Sequence, residues 1–385
     1  MAVYLIGFAL STFLIAISEK KHRNFFALCS FFALLIPCLI AAFRATTVGT
    51  DVEVYVTRLT DAAFSSSSFS NFLGGSWSIG YRDQLISDYE IGFSFAIYSV
   101  AKLTHSLPAV LFTIQALVIV PIFAALARNR KKMPMWLGML VFYLMFYNAP
   151  LNMMRQWIAM PFLLLAFQML TEGKYLRCAI LSVVAFLFHL SAILVIPVYV
   201  VYWFLQTQKH LVFQAGNVKI TGRMLCALVI CMVALVAVLN LHLILRVLTA
   251  LGIDRFNNYL EGNQISLMVS QVVLRLPPIA LVLFNWKQLR KYSPHAVFFL
   301  AMLLLDVVAA QLISVDVYAF RIGHYFVQYI ILAAPAMYAC RKKGFERTLT
   351  VLLLIGYCLF YWYFTYALQG RHNTVPYAFQ DTLFF

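Results

Sequence analysis

Apolar residues run along this chain in long continuous blocks rather than at the alternation expected of strands. Blocks of 15 to 24 apolar residues recur from end to end, each broken by a short polar or basic cluster. Such blocks predict membrane-spanning helices, which need about 20 residues each, and exclude a β-barrel, whose strands alternate. The expected spans are residues 2–18, 25–43, 107–127, 135–149, 152–170, 178–189, 191–205, 224–247, 268–286, 296–315, 322–340 and 348–368, twelve in all. Composition agrees: 63% of residues are hydrophobic, 11% are charged and the mean hydropathy is +0.85, outside the range of soluble domains. The expected fold is an all-α, polytopic integral membrane protein forming a single transmembrane domain over residues 1–385.

A net charge of +15 would suggest nucleic acid if it were spread over a surface. It is not spread. The clusters SEKKHR, RNRKK, EGKYLR, the loop from QTQKH to TGR, KQLRK and RKKGFER hold 19 of the 29 Lys and Arg, with only Glu19, Glu172 and Glu346 among the 14 acids. These clusters alternate with nearly balanced loops, so the positive-inside rule assigns the basic set to the cytoplasm and both termini to the outside. The excess charge is orientation information, and no nucleic-acid partner is implied. The first block has no basic residue before it and Lys20, Lys21 and Arg23 after it, the reverse of a secretory signal, so it is expected to remain as a span. All seven cysteines lie in or at the edge of apolar blocks without a CxxC pair, which points to packing rather than to a disulfide or a metal site.

Three places break the pattern. The outer loop 44–90 joins a polar start, RATTVGTDVEVYV, through a tract expected to be flexible, SSSSFSNFLGGSWS, to a polar end, ISDYEIGF. The apolar run that follows, from Ile91 to Ala101, is too short to span and is expected as an interfacial helix. Residues 178–205 are too many for one span and too few for two, and loop-charge parity requires two short helices meeting near His189-Leu190-Ser191. In YNAPLNMMRQWIAMPF, Pro150 suits the first turn of a new helix, which would place Asn152, Arg155 and Gln156 on one of its faces. An arginine there is costly against hydrocarbon and well placed for an anion.

Further polar residues fall on the same outer side: Arg44, Asp51, Glu53, Glu90, His189, and Arg321 with His324 and Tyr325. Three arginines and a histidine facing one leaflet suit a polyanion held near the membrane surface. Bland readings stand beside this one. Arg44 sits where a span-end arginine snorkels to the interface, His189 could be a neutral buried histidine bonded to a carbonyl, and Arg321 could pair with Asp316. Arg275 and Asp306, deeper in their spans, are expected to form a structural buried pair with each other.

The succession RxxTVGTDxxxY (Arg44, Gly49, Asp51, Tyr55), YExGF (Tyr89, Glu90, Gly92), LNMMRQWIA (Asn152, Arg155, Gln156), FHLSA (His189), RxxxY (Arg321, Tyr325) and a late PY (Pro376, Tyr377) resembles the EpsG branch of the Wzy-type polysaccharide polymerases. The resemblance implies a GT-C-like membrane glycosyltransferase in a bacterial inner membrane. It would join undecaprenyl-pyrophosphate-linked oligosaccharide repeat units into O-antigen, capsule or exopolysaccharide on the periplasmic face. It further implies membrane lipid as surroundings, a chain-length-regulating co-polymerase as partner, and no cofactor and no metal. On that reading Arg155, Arg44 and Arg321 hold the diphosphate, and His189 is the candidate base with Asp51 or Glu90 as alternative. Asn152, Gln156, Tyr55, Tyr89 and Tyr325 complete the expected substrate contacts. A related glycan ligase, a lipid-linked oligosaccharide flippase and a membrane acyltransferase are the competing classes. A flippase would be expected to show related halves and charges near the bilayer midplane, and no internal repeat is present.

Overall fold

The structure, a computed structural model, describes residues 1–79, 82–208, 210–215, 218–241, 243, 246, 267–314 and 319–380. The fold is all-α and polytopic, with two short hairpins among the described residues, Ser76–Ile79 with Arg82–Leu85 (β1, β2) and Leu211–Ala215 with Val218–Thr221 (β3, β4). Each of the twelve expected blocks carries helix. Among the described residues, however, six helices are both long and apolar enough to cross a membrane, or seven if Val269–Phe284 and Trp286–Tyr292, bent by 67°, count as one. The others are short, broken or too polar for that test. The chain divides into two compact units, Met1–Ile193 with Cys358–Phe385, and Leu194–Tyr357.

In the first unit, Ala2–Ser18 (α1) and Arg23–Ala42 (α2) pack together, and α1 also lies on Met135–Met145 (α7). Tyr4, Phe8, Tyr143 and Tyr147 meet there, with Phe8 stacked on Tyr143 at 5.2 Å and edge-on to Tyr147 at 4.9 Å. Such pairs add roughly 0.5–1.5 kcal/mol each beyond the area they bury. Leu107–Ala127 (α6) matches its expected bounds. Ser106 accepts the Ala109 N–H at 3.3 Å and Pro108 occupies the first turn, where its missing N–H costs nothing.

The outer loop is more ordered than its composition suggested. A π-turn at Val52–Val56 runs into the helix Thr57–Ser65 (α3), with Val52, Val56, Leu59 and Ala63 all buried on one side at helical spacing. The serine tract expected to be flexible instead caps a short helix, Phe69–Leu73 (α4), through Ser68 Oγ, which accepts the Asn71 N–H at 3.2 Å. Phe72 is fully buried beneath it. The run after the loop forms the helix Ile91–Thr104 (α5), packed on α3, α6 and Tyr175–Phe188 (α9).

The helix after Pro150 begins later than expected. Residues 146–153 form successive turns and Met154–Thr171 (α8) starts at Met154, so Asn152 precedes the helix instead of sharing a face with Arg155 and Gln156. The cause is Asn148, whose carboxamide is engaged at both its nitrogen and its oxygen. It donates to Thr374 Oγ1 at 3.0 Å and accepts the Trp362 indole N–H at 2.8 Å, holding the turns against the C-terminal segment. That segment is stitched along the end of α2 and the loop after it: the Ala45 N–H donates to Ala378 O at 2.8 Å, the Gly49 N–H to Asn373 O at 2.9 Å, and Tyr377 Oη to Ile40 O at 3.0 Å.

The break at His189 is present. α9 ends at Phe188, His189 is extended, Leu190–Leu194 is a 3-10 turn, and Val195–Thr207 (α10) follows. In the second unit Gly222–Leu239 (α11) and Val269–Phe284 (α12) pack on Ala296–Ala309 (α14). Asn285 sits at the bend between α12 and Trp286–Tyr292 (α13). Arg341 donates Nε to its Oδ1 at 2.7 Å and Nη2 to Phe284 O at 2.8 Å, satisfying backbone and side chain where the helix turns aside. The expected Arg275–Asp306 pair is also formed, with Nε to Oδ2 at 2.8 Å, and Arg275 Nη1 reaches Gln271 Oε1 at 2.9 Å. Asp316 lies outside the described residues, so its expected pairing with Arg321 is not described.

Removing one member of a buried pair strands the other charge. Asp306→Ala is therefore expected to destabilise the detergent-solubilised protein by on the order of 3–5 kcal/mol, while Arg275→Leu with Asp306→Leu recovers most of the loss. Thermal unfolding midpoints of the three proteins check this. A double variant as unstable as the single one would show that shape rather than charge is at stake.

Candidate active site

Four segments that leave regular helix converge in the first unit: residues 44–56, Tyr89-Glu90, the turn before α8, and His189-Leu190. Glu90 is the centre. Its Oε2 accepts from Arg155 Nη1 at 2.7 Å, and its Oε1 accepts from His189 Nδ1 at 2.6 Å and from the Leu190 N–H at 3.1 Å. Three segments far apart in sequence thereby share one carboxylate.

Two glycines allow the approach. A Cβ on Gly92 would lie 2.7 Å from the Leu187 carbonyl oxygen, so α5 can rest its first turn on the end of α9 only because that atom is missing. Gly49, at φ +86°, plays the same part against Leu151, whose carbonyl oxygen a Cβ would overlap. The loop after α2 is thus laid directly on the turn before α8. Asn152 fastens the junction, its Oδ1 accepting from Thr50 Oγ1 at 2.8 Å and from the Asp51 N–H at 3.0 Å.

Arg44 has a different task from the one its sequence position suggested. Only 1% exposed, it donates Nε to Val48 O at 3.1 Å, Nη2 to Leu151 O at 3.2 Å, and Nη1 to Ala41 O. A guanidinium so occupied by carbonyls holds the loop in shape and does not present itself to a ligand. Arg155 is the contrast. Its side chain is 29% exposed and spends one N–H on Glu90, while its guanidinium carbon lies 4.8 Å from the Tyr89 ring centre and 5.7 Å from that of Tyr55. Tyr55 in turn donates to Asp51 Oδ2 at 2.7 Å.

Among the expected residues, the structure brings together Glu90, His189, Arg155, Tyr89, Tyr55, Asp51 and Asn152. Gln156 is buried in the first turn of α8 beside Arg155. Arg321, in the 3-10 turn Ala319–Gly323, and the buried Tyr325 belong to the second unit. One residue escaped notice in the sequence. Trp77 on β1 stacks on Tyr89 at 5.8 Å, extending the aromatic wall over Arg155. Its signal was the alternation Ser-Trp-Ser-Ile followed by Arg-Asp-Gln-Leu, a strand pair hidden in a tract dominated by Ser and Gly.

Electrostatics favour a fixed charge at the centre. Burial opposes ionisation of Glu90, but the hydrogen bond from His189 and the charge of Arg155 outweigh it and hold the carboxyl down at about 2. Tyr55 is pushed well above the ordinary phenol value, by burial first and by the Asp51 carboxylate second. It therefore stays a neutral hydroxyl donor at any physiological pH. Because the Glu90 carboxylate accepts from Nδ1, that nitrogen carries a hydrogen. In the neutral imidazole the lone pair is then on Nε2, which makes no hydrogen bond among the described residues.

The model of the EpsG family matches residues 25–379, nearly the whole chain. The protein belongs to the EpsG family. That membership makes it a membrane protein of the polysaccharide polymerase type. No curated protein and no solved structure gives a significant match.

Two outcomes test the site as a physical unit. In this EpsG-family protein, Gly92→Ala is expected to push α5 off α9 and free the Leu190 amide, seen as faster hydrogen exchange in peptides covering Leu190 with a lowered unfolding midpoint. Unchanged exchange would mean that the contact with Leu187 yields easily. The second concerns pH. A carboxyl depressed from 4.5 to about 2 contributes stability that is complete above about 4.5 and lost as pH falls toward 2. Glu90→Gln is therefore expected to flatten the fall in unfolding midpoint across that acid range relative to the unaltered protein.

Proposed function

We propose that this protein is a glycosyltransferase that polymerises undecaprenyl-pyrophosphate-linked oligosaccharide repeat units into O-antigen, capsule or exopolysaccharide on the outer face of the cytoplasmic membrane. The observation that carries the reading is the single Glu90 carboxylate joining His189 to Arg155. It supports a general base and an anion holder set side by side in a rigid frame.

The reaction divides naturally between them. His189 Nε2 takes the proton from the acceptor sugar hydroxyl as that oxygen attacks the anomeric carbon of the donor. The bond from that carbon to the pyrophosphate oxygen breaks, and the leaving diphosphate gains negative charge. Arg155, with N–H groups beyond the one given to Glu90, is placed to receive it through charge-assisted hydrogen bonds. Glu90 keeps the imidazole in the productive tautomer and stabilises the imidazolium once formed, a positioning part rather than that of the base. Asp51 holds Tyr55 in place and leaves Tyr89 and Trp77 as a wall against which a sugar ring can lie.

The decisive experiment substitutes Arg155 and His189 separately by Ala in cells and separates the surface glycan on a gel. Each variant is expected to lower polymerisation by about 10²–10⁴-fold and to leave carrier-linked product at a single repeat on the outer face. Repeat units trapped on the cytoplasmic side would indicate a flippase instead. Normal ladders in both variants would end this assignment of the site.

A further inference from the structure

The first unit does not account for all the organised positive charge. In the second unit two helices open onto one cavity. α11 begins after Thr221, and α14 begins after His295. The Gly222 N–H is already given to His210 O at 2.9 Å and the Ala296 N–H to Ser293 O at 3.3 Å, while both macrodipoles turn their positive ends to this space. The cavity has a volume of about 190 Å³ and is lined by Thr221, Arg223, Arg290, Ser293, Pro294 and Ala296.

The lining is rich in donors and poor in negative charge. Arg223 gives Nη2 to Gln206 Oε1 at 2.9 Å and Nη1 to Pro294 O at 3.5 Å, both neutral acceptors. Its Nε is buried with no hydrogen-bond partner, as is Thr221 Oγ1, and among the described residues Arg223 has no carboxylate within ion-pair distance. A buried N–H and a buried hydroxyl left unsatisfied each carry a desolvation cost that a bound acceptor would remove. His295 adds nothing of its own sign: burial first, then the Arg223 charge, push it down to about 4, so at neutral pH it is an uncharged ring. The lining thus gathers the Arg223 guanidinium, the Arg290 guanidinium beside the Trp286 ring, two hydroxyls and two helix N-termini around a space open to a small anion.

We propose that this cavity binds a phosphate group, carried by the headgroup of an anionic phospholipid or by a soluble phosphate compound. Tetrahedral phosphate offers several acceptor oxygens at once, matching guanidinium forks, hydroxyls and helix-end amides converging from different directions. Basic pockets between membrane helices are suited to lipid headgroups of this kind.

The full-length protein, purified in detergent, supplies the test in two arms. In the first, retention of added phosphatidylglycerol is counted by native mass spectrometry. In the second, the unfolding midpoint is measured in inorganic phosphate against chloride at equal ionic strength. The control is Lys287→Gln, which removes one positive charge from an exposed position on the same helix as Arg290. Arg223→Gln with Arg290→Gln is expected to reduce phosphatidylglycerol retention, or to abolish the phosphate-induced rise in midpoint, by about tenfold in apparent affinity, with Lys287→Gln unchanged. A response in the first arm alone assigns the lipid headgroup, and one in the second alone assigns free phosphate. Equal losses in Lys287→Gln, or no response in the unaltered protein, would overturn the proposal. Should the double variant fail to fold, Arg290→Gln alone, at a partly exposed position, carries the same comparison.

Discussion

The organisation of the first unit depends on one carboxylate. Glu90 sits where α5 begins, yet its side chain does not cap that helix, as an acid in that position often would. It turns away to accept three hydrogen bonds from α8 and from the break after α9. Every neighbour of this interaction is arranged to permit it: Gly92 lets α5 come close, the extended backbone at His189 frees the ring from helical geometry, and the turns before α8 place Arg155 in a first turn. An arginine and a histidine held by the same carboxylate are fixed in relation to each other more firmly than either could be by contact with lipid or water.

Arginine in so apolar a chain requires a partner, and the partners sort the arginines by task. Arg44 is surrounded by main-chain carbonyls and fixes a loop. Arg275 is matched by Asp306, and Arg341 by Asn285 and Glu346, so both are spent inside the structure. Arg155 is partly exposed and bonded at one nitrogen only, with aromatic faces along its flank. Residue type alone cannot make this distinction. The number of acceptors already engaged can, because a guanidinium whose donors are satisfied gains little from a ligand.

Much of this was legible in the sequence, and the boundary of legibility has a physical meaning. Membrane helices announce themselves by composition, so α6 and the paired short helices around His189 were readable from length and loop charge. The Arg275–Asp306 pair followed from the cost of leaving either residue alone. What could not be read was anything decided by long-range hydrogen bonds. α8 begins at Met154 and not at Pro150 because Asn148 is held by Thr374 and Trp362, more than two hundred residues further along. Arg44 looked free for the same reason, since its acceptors are carbonyls, which are identical at every position. The helix α4 was obscured differently: serine-rich composition masked a short helix that Ser68 caps.

The breaks and the site are one phenomenon. Backbone that departs from helix inside an apolar protein exposes N–H and C=O groups that must find partners. At each break here the partner is a polar side chain: Glu90 for the Leu190 amide, Asn152 for the Asp51 amide, and Arg44 for the carbonyls of Ala41, Val48 and Leu151. Once such side chains are recruited to satisfy the main chain, they bring charge and hydrogen-bonding capacity to a place that hydrocarbon would otherwise fill. Four breaks brought to one place therefore produce a polar cluster whose members are already ordered. A ligand meets groups whose conformational entropy was lost on folding, which is the condition under which an arginine and a histidine act on a substrate most effectively.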